Sequence, residues 1–196
     1  MQNSNSAEFS PSAKKSVFIL FFFFLILFPQ YAPYGNLQNH ESSTVRTIFN
    51  LYFFISNQTF GIVHEGGHGV CYLISSCPKF FTALNGTIFQ WLFPAGIAYY
   101  YKKQSNLMAM WIGIFFLGFT MHYTSWYIST AHEGAIIPAH RSFLGTEAYH
   151  DFNYILDSLG VLNYDYIIAG FVKFLSYSTM ILAVFKMFVL GFWKSN

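Results

Sequence analysis

Two histidines and a glutamate in the segment HEGGH have the residue types and the spacing of a metal-dependent hydrolytic site. His64 and His68 are four residues apart, so on a helix they lie on one face, one turn from each other. Two imidazoles in that arrangement can bind one tetrahedral metal ion, and Glu65 can act as the base for a water molecule. Zinc suits this chemistry because it lowers the pKa of water toward about 7. The segment therefore predicts one Zn²⁺ per chain, with His64 and His68 as ligands and Glu65 catalytic.

The pattern is specific for a chain of this composition. With seven histidines among 196 residues, HExxH is expected by chance on the order of 0.01 times. The surrounding segment, GIVHEGGHGVCYLI, is otherwise apolar, and ionisable groups at membrane depth are costly and generally functional. An alternative is that the histidines are hydrogen-bonded helix contacts and the glycines mark close helix packing. Gly66, Gly67 and Gly69 indicate that a neighbouring helix or an extended substrate approaches the backbone, with Gly67 lining the cavity.

HEGGH in an apolar helix resembles the HExGH helix of the intramembrane zinc metalloproteases, the site-2 protease family. The resemblance implies that His64 and His68 bind zinc, that Glu65 is the catalytic base and that Gly67 is the family's common glycine. It also implies a compact multi-span core with a glycine- or proline-containing segment after the motif helix, matched here by NGTIFQWLFPAG. The implied activity is that of a zinc metalloendopeptidase acting on membrane-protein or juxtamembrane peptide substrates.

The third ligand is less directly specified. The family takes it from an aspartate on a later helix, within a motif such as NPxxLDG, which this chain lacks. The segment HDFNYILDSLG offers Asp151, His150 and Asp157, in that order of preference. It is also similar to an HDW-type signature of small bacterial membrane proteins that carry HExGH, which implies a bacterial inner membrane. The alternatives are that Asp151 is a first-turn acid of a short helix and that Asp157 lies on a solvated face.

Asn57 and His122 are further candidates for the lining of the active-site cavity. Alternatively, Asn57 forms hydrogen bonds with backbone groups exposed at a break in its helix. His122 is alternatively a hydrogen-bonded imidazole within an apolar helix. His122 also supports a rival prediction, a membrane haem or metal protein with His68 and His122 as axial ligands. A second rival is a catalytically silent relative that serves as a membrane scaffold or assembly factor and keeps the metal site for structure.

The elements that hold these residues are predicted to be membrane helices. The chain is 54% hydrophobic, 22% aromatic and 9% charged, whereas a soluble domain is about 25% charged. Its length suits one all-α integral membrane domain with about five transmembrane helices in a lipid bilayer. The formal net charge of +2 and the lack of a basic, aromatic-rich patch argue against nucleic acid as a partner.

The chain divides into a disordered N-terminal tail at 1–15 and a single polytopic membrane domain at 16–196. Lys14 and Lys15 before an apolar run predict an uncleaved first span with a cytoplasmic N-terminus. The Asn-Gly within residues 80–92 predicts a short re-entrant hairpin rather than a span. The other predicted elements are a first span at 16–32, an external loop at 33–46, a long or broken helix at 47–76, helices at 94–101, 107–130 and 152–162, and a last span at 166–193.

Cys71 and Cys77 lie at the end of the motif segment. Their spacing does not match a zinc knuckle or a thioredoxin-like CxxC. The simplest interpretation is two small, buried hydrophobic residues. A disulfide between them requires that this end of the protein face an oxidising compartment.

Overall fold

The computed structural model describes residues 16, 18–22, 60–74, 77–134, 136–141 and 147–192. Most of them form helices, which are α1 (Gly61–Leu73), α2 (Lys79–Lys103), α3 (Leu107–Ser129), α4 (Asp151–Ser158) and α5 (Asp165–Phe192). Between α3 and α5 lie two short 3₁₀ turns, Ala131–Glu133 and Leu162–Tyr164, and a two-stranded antiparallel sheet of β1 (Ile136–Arg141) and β2 (Glu147–Tyr149).

The helices α3 and α5 run antiparallel and form the centre of the bundle. Ser125 donates a 2.8 Å hydrogen bond to the carbonyl of Ala169, and Ser176 donates one of 2.7 Å to the carbonyl of Gly118. A Cβ on Gly118 would lie 2.9 Å from the carbonyl oxygen of Ser176, so only glycine permits this backbone approach. Small residues and hydroxyl bonds between helices are the usual means of helix association in lipid.

Two helical segments of the described chain are long and apolar enough to cross a membrane, Leu107–Glu133 and Leu162–Gly191. The outer face of α5 carries large apolar side chains that are each more than half exposed: Ile167, Phe171, Phe174, Ile181 and Phe185. Water solvates such a surface poorly, whereas lipid tails are a suitable environment for it. Both observations favour membrane association, and the total of about five spans stays a prediction.

The predicted hairpin at 80–92 is wrong, because this segment is the first half of the continuous helix α2. The Asn-Gly pair predicts a turn, but Gly86 has no positive φ and is buried within the helix. The separate helix predicted at 94–101 is the second half of the same element. Pro94 is buried inside α2, where it removes one backbone donor and leaves the carbonyl of Gln90 without its usual helical partner.

The later elements lie close to their predicted positions. The boundaries of α3 and α5 differ by about one residue from 107–130 and 166–193, which is within the usual uncertainty of helix ends. The helix predicted at 152–162 is shorter, and Gly160 with φ of +69° ends it in the left-handed conformation. The hairpin of β1 and β2 was not predicted, since its polar sequence lacks an alternating apolar pattern.

Several predictions concern residues outside the described part of the chain. They are the tail at 1–15, the loop at 33–46, most of the span at 16–32, the part of 47–76 before Phe60, and Asn57 with its assigned role. Within the first predicted span, residues 18–22 are helical. Phe22 packs edge-on against Phe115 of α3, with 4.7 Å between the ring centroids.

Candidate metal centre

A close crossing of α1 and α2 brings the HEGGH histidines against the second helix. A Cβ on Gly67 would clash with the backbone carbonyl of Asn85, so glycine is required at the crossing point. The side-chain amide of Asn85 donates a 3.0 Å hydrogen bond to the carbonyl of Gly67 and thereby fixes the two helices together. Gly67 was predicted to line a cavity, but the structure places it in this helix contact. Gly66 and Gly69 have open space at their Cβ positions.

Gly86 makes room for both imidazole rings. A Cβ at this position would lie 2.6 Å from Nε2 of His68 and 2.7 Å from Nε2 of His64. These distances are well inside van der Waals contact, so any side chain at 86 would displace the two rings. The glycine of the Asn-Gly pair is therefore needed for the site and not for a turn.

His64, His68 and Asp151 converge on one point. Nε2 of His64 lies 3.0 Å from Oδ2 of Asp151, and Nε2 of His68 lies 3.3 Å from the same oxygen. Ligands held by a tetrahedral zinc ion at about 2.0–2.1 Å are roughly 3.3 Å apart, so the observed separations suit such an ion. The donor atoms of His64, His68 and Asp151 all lie within 4.8 Å of one another, and this is the group of potential metal ligands found in the described part of the chain.

The hydrogen bonding of His68 indicates that a proton or a metal ion lies at this convergence. Nδ1 of His68 lies 2.7 Å from the backbone carbonyl of Thr82, which can only accept, so Nδ1 carries the proton. In the neutral ring Nε2 then presents a lone pair to the carboxylate of Asp151 at 3.3 Å. Two electron-rich atoms are held in this way only when a proton or a metal ion lies between them. A metal-binding histidine usually donates one ring N–H to a carbonyl in this way and uses its other nitrogen to bind the metal.

Asp151 is positioned by α3 as well as by its own helix. The hydroxyl of Tyr127 accepts a 3.0 Å hydrogen bond from the backbone N–H of Asp151 and lies 3.3 Å from Oδ2 of the same residue. His150, which precedes α4, stacks on the Tyr127 ring with 4.2 Å between centroids. Burial alone would raise the pKa of Asp151, but its contacts with His64 and His68 outweigh burial and lower it to about 2. The carboxyl is therefore ionised and able to bind a cation.

Glu65 lies beside the three converging residues and is half-buried in α1. Its charge acts on both His68 and the buried hydroxyl of Tyr123 in α3. In the described part of the chain, no protein group forms a hydrogen bond or an ion pair with its carboxylate. Within the described residues, the Glu65 carboxylate is therefore available to groups outside the protein.

The two alternative third ligands, His150 and Asp157, do not join His64 and His68. His150 has other hydrogen-bond partners, and Asp157 is exposed away from the group. His150 accepts at Nδ1 from the backbone N–H of Asn153 at 3.4 Å, and its Nε2 lies 3.1 Å from the hydroxyl of Thr130. Burial lowers the pKa of His150 to about 4, so this ring is neutral and supports Asp151 without joining the metal group. Asp157 is exposed near the end of α4 and is not part of that group.

His122 and His132 take part in other contacts. Nε2 of the buried His122 ring lies 3.2 Å from the hydroxyl of Tyr177 on α5, as expected of a hydrogen-bonded imidazole within an apolar helix. Nδ1 of His132 lies 2.6 Å from Oδ2 of the buried Asp165, whose carboxylate also accepts from the backbone of Tyr166. This contact attaches the 3₁₀ turn after α3 to the first turn of α5.

Cys71 and Cys77 form a disulfide, so their interpretation as separate hydrophobic residues is wrong. The bond joins the last turn of α1 to the residues before α2. The side-chain amide of Asn85 lies 3.6 Å from Sγ of Cys71 as well as contacting Gly67. The disulfide therefore reinforces the same helix crossing that holds His68 in place.

The sequence reasoning missed the supporting residues of the site. Tyr127 had no signal beyond its place four residues after Tyr123 on the same helix face. Gly86 was noticed as half of an Asn-Gly pair and assigned to a turn. Thr82 contributes through its backbone carbonyl, which no side-chain pattern reveals.

Comparison of the chain with protein-family models, with curated proteins and with solved structures finds no match. The resemblance to the site-2 proteases therefore stays at the level of the HEGGH residues. The geometry of the site has to support any functional conclusion.

Proposed function

We propose that this chain is a membrane-embedded zinc metallopeptidase that hydrolyses peptide bonds of membrane-protein or juxtamembrane substrates. The observation that supports this best is the convergence of His64, His68 and Asp151, which come from helices far apart in sequence. Two nitrogen donors and one carboxylate oxygen are a donor set that zinc commonly takes in hydrolytic enzymes, with one position left open.

The residues present fit a zinc ion. The lone pair of His68 opposite the Asp151 carboxylate is satisfied by a cation, and Gly86 leaves space where both rings project. When bound, zinc supplies a Lewis acid that polarises the substrate carbonyl and acidifies water. His64, His68 and Asp151 would hold it.

Glu65 would carry the proton transfers. Its carboxylate removes a proton from the attacking water as the water oxygen bonds to the carbonyl carbon. The same proton then passes to the amine nitrogen as the carbon–nitrogen bond breaks. The half-buried carboxylate can do this because no described protein group occupies it. Gly69 lies one turn after Glu65 on the same face of α1, and the open space at its Cβ position allows a substrate backbone to approach there.

A membrane location is part of the proposal. The two long apolar helices and the exposed apolar face of α5 favour lipid as the surrounding medium. The multi-pass arrangement and the bacterial inner membrane come from the composition and from the resemblance.

The test compares Glu65→Gln with Glu133→Gln in the full chain purified in detergent. Both glutamates follow a histidine and precede a glycine, but Glu133 is exposed on a 3₁₀ turn and does not belong to the metal group. Zinc content is measured by mass spectrometry, and hydrolysis is followed with a mixture of quenched fluorescent transmembrane peptides in liposomes. We expect one zinc per chain in all three proteins and hydrolysis by the wild type and by Glu133→Gln only.

Other results would separate the alternatives. Zinc binding without hydrolysis by any of the three proteins would favour a structural metal site in a scaffold protein. Equal hydrolysis by the wild type and Glu65→Gln would disprove the assigned mechanism. Absence of zinc together with a Soret band would favour the haem protein.

A further inference from the structure

The bundle has two chemically different ends. The antiparallel contacts of α3 with α5 place the start of α5, α4 and the Cys71–Cys77 disulfide at one end, here called the metal end. The turn between α2 and α3 lies at the other, here called the lysine end. Gly86 is seven residues from the start of α2, or about 10 Å along the helix, and about 25 Å from Lys103 at its end. The candidate site is therefore close to one end of the bundle.

Three of the five lysines that the structure describes lie at the end away from the site. Lys102 and Lys103 are exposed in the last turn of α2, before a short turn, and exposed Lys186 lies in the last two turns of α5. In the sequence, Lys14 and Lys15 precede the helical residues at 18–22, and Ile19 contacts Gly191 near the end of α5. Lysine and arginine in short loops beside membrane helices mark the cytoplasmic side. The lysine end is therefore assigned to the cytoplasm. Three basic residues lie closer to the metal end and oppose this assignment: Lys79, Arg141 in β1 and Lys173 in the first half of α5.

The disulfide gives an independent assignment of the metal end. Cys71 lies three residues after His68 on the same helix, and its partner Cys77 lies just before α2. Disulfides persist in oxidising compartments, and the cytoplasm keeps thiols reduced. The thiol chemistry places the metal end outside the cytoplasm, and the lysines place the other end inside it. Two unrelated properties of the chain thus agree on one orientation.

We propose that the His64–His68–Asp151 site opens toward the oxidising, non-cytoplasmic side of the membrane. Its substrates are then peptide segments that emerge from the bilayer on that side, within about 10 Å of the surface where α2 begins. This inference rests on the proposed membrane peptidase and adds the face from which the substrate reaches it. Segments exposed only to the cytoplasm lie about 25 Å from the site along α2 and are not substrates.

Accessibility of single introduced cysteines tests the orientation. Ser158→Cys is exposed at the metal end, and Gln104→Cys is exposed at the lysine end. The full chain is expressed in cells, and right-side-out membrane vesicles are treated with a membrane-impermeant maleimide before and after detergent. We expect Ser158→Cys to react before detergent and Gln104→Cys only after it. Glu133→Cys gives a second metal-end position in case Ser158→Cys does not accumulate.

The native cysteines provide a second measurement in the wild type. Rapid acid quenching followed by alkylation should find no free thiol, because Cys71 and Cys77 are paired. Reaction of Gln104→Cys before detergent, alone or together with the metal-end position, would overturn the orientation, and so would two free native thiols. These measurements do not depend on activity. The proposed orientation can therefore be refuted while hydrolysis by the wild type is observed, and hydrolysis can be absent while the orientation is confirmed.

Discussion

Replacing Gly86 with alanine should remove zinc binding while leaving the helices in place. The new Cβ would lie 2.6 Å from Nε2 of His68 and 2.7 Å from Nε2 of His64, against about 3.4 Å for ordinary contact. Each nitrogen would therefore have to move by about 0.7–0.8 Å, whereas a zinc site tolerates about 0.2 Å in its bond lengths. The position of the alanine Cβ is fixed by the backbone, so the two imidazole rings must move instead.

We expect the zinc affinity of Gly86→Ala to fall at least tenfold, or about 1.4 kcal/mol, and up to about a hundredfold. The protein is purified in detergent, stripped of metal and titrated with zinc against a chromogenic chelator. Far-UV circular dichroism and size-exclusion elution report whether the helical bundle has formed. Hydrolysis of the quenched peptides should fall with metal occupancy and return in part at high zinc.

Gly96→Ala is the matched control, because it makes the same change in the same helix. Gly96 is exposed and has nothing within 4 Å of its Cβ position. Alanine there should stabilise α2 by up to about 1 kcal/mol and leave zinc affinity unchanged. A Gly86→Ala protein that binds zinc within twofold of the wild type would refute the role given to Gly86 and the ring positions on which it rests.

Three further predictions concern the supports of the site. Tyr127→Phe removes the hydroxyl that holds Asp151 and should lower zinc affinity by about 10- to 100-fold in an otherwise folded protein, so an unchanged zinc titration would contradict it. Gln90→Met removes a buried Nε2 that has no hydrogen-bond partner among the described residues, and it should raise the free energy of unfolding by about 1–3 kcal/mol, measured as a higher thermal midpoint; a lower midpoint would show that the amide is satisfied. Cys77→Ser removes the disulfide to Cys71 and should lower the free energy of unfolding by about 2 kcal/mol. A reductant should then lower the thermal midpoint of the wild type to that of the variant and leave the midpoint of the variant unchanged.

The convergence of His64, His68 and Asp151 could be predicted in part from local patterns. The spacing of His64 and His68 specifies a shared helix face, and that face is observed. Asp151 was preferred because the resemblance implies an acidic third ligand on a later helix and HDFNYILDSLG offers one there, and the structure brings its carboxylate to both imidazoles. The long helix beginning at Leu107 was predicted because its apolar run has no turn signal.

The supports of the site could not be predicted in this way, because they depend on contacts between distant segments. An Asn-Gly pair is a turn signal in isolation, yet the rings of His64 and His68 require glycine at 86 within a straight helix. Tertiary packing decided between these two uses of the same residue. The role of Tyr127 likewise depends on how α4 docks against α3, which no local property of either helix encodes.

The ligands of the candidate centre are far apart along the chain, and this separation orders its assembly. His64 and Asp151 are 87 residues apart, so the two histidines are synthesised well before the carboxylate that completes the group. The carboxylate can arrive only after α3 has formed and Tyr127 is available to hold it. Two histidines alone bind zinc weakly, and each further ligand couples binding to folding. Under the proposed function, metal loading is therefore a late event that reports a nearly finished chain, and a truncated or misassembled product would stay metal-free and inert.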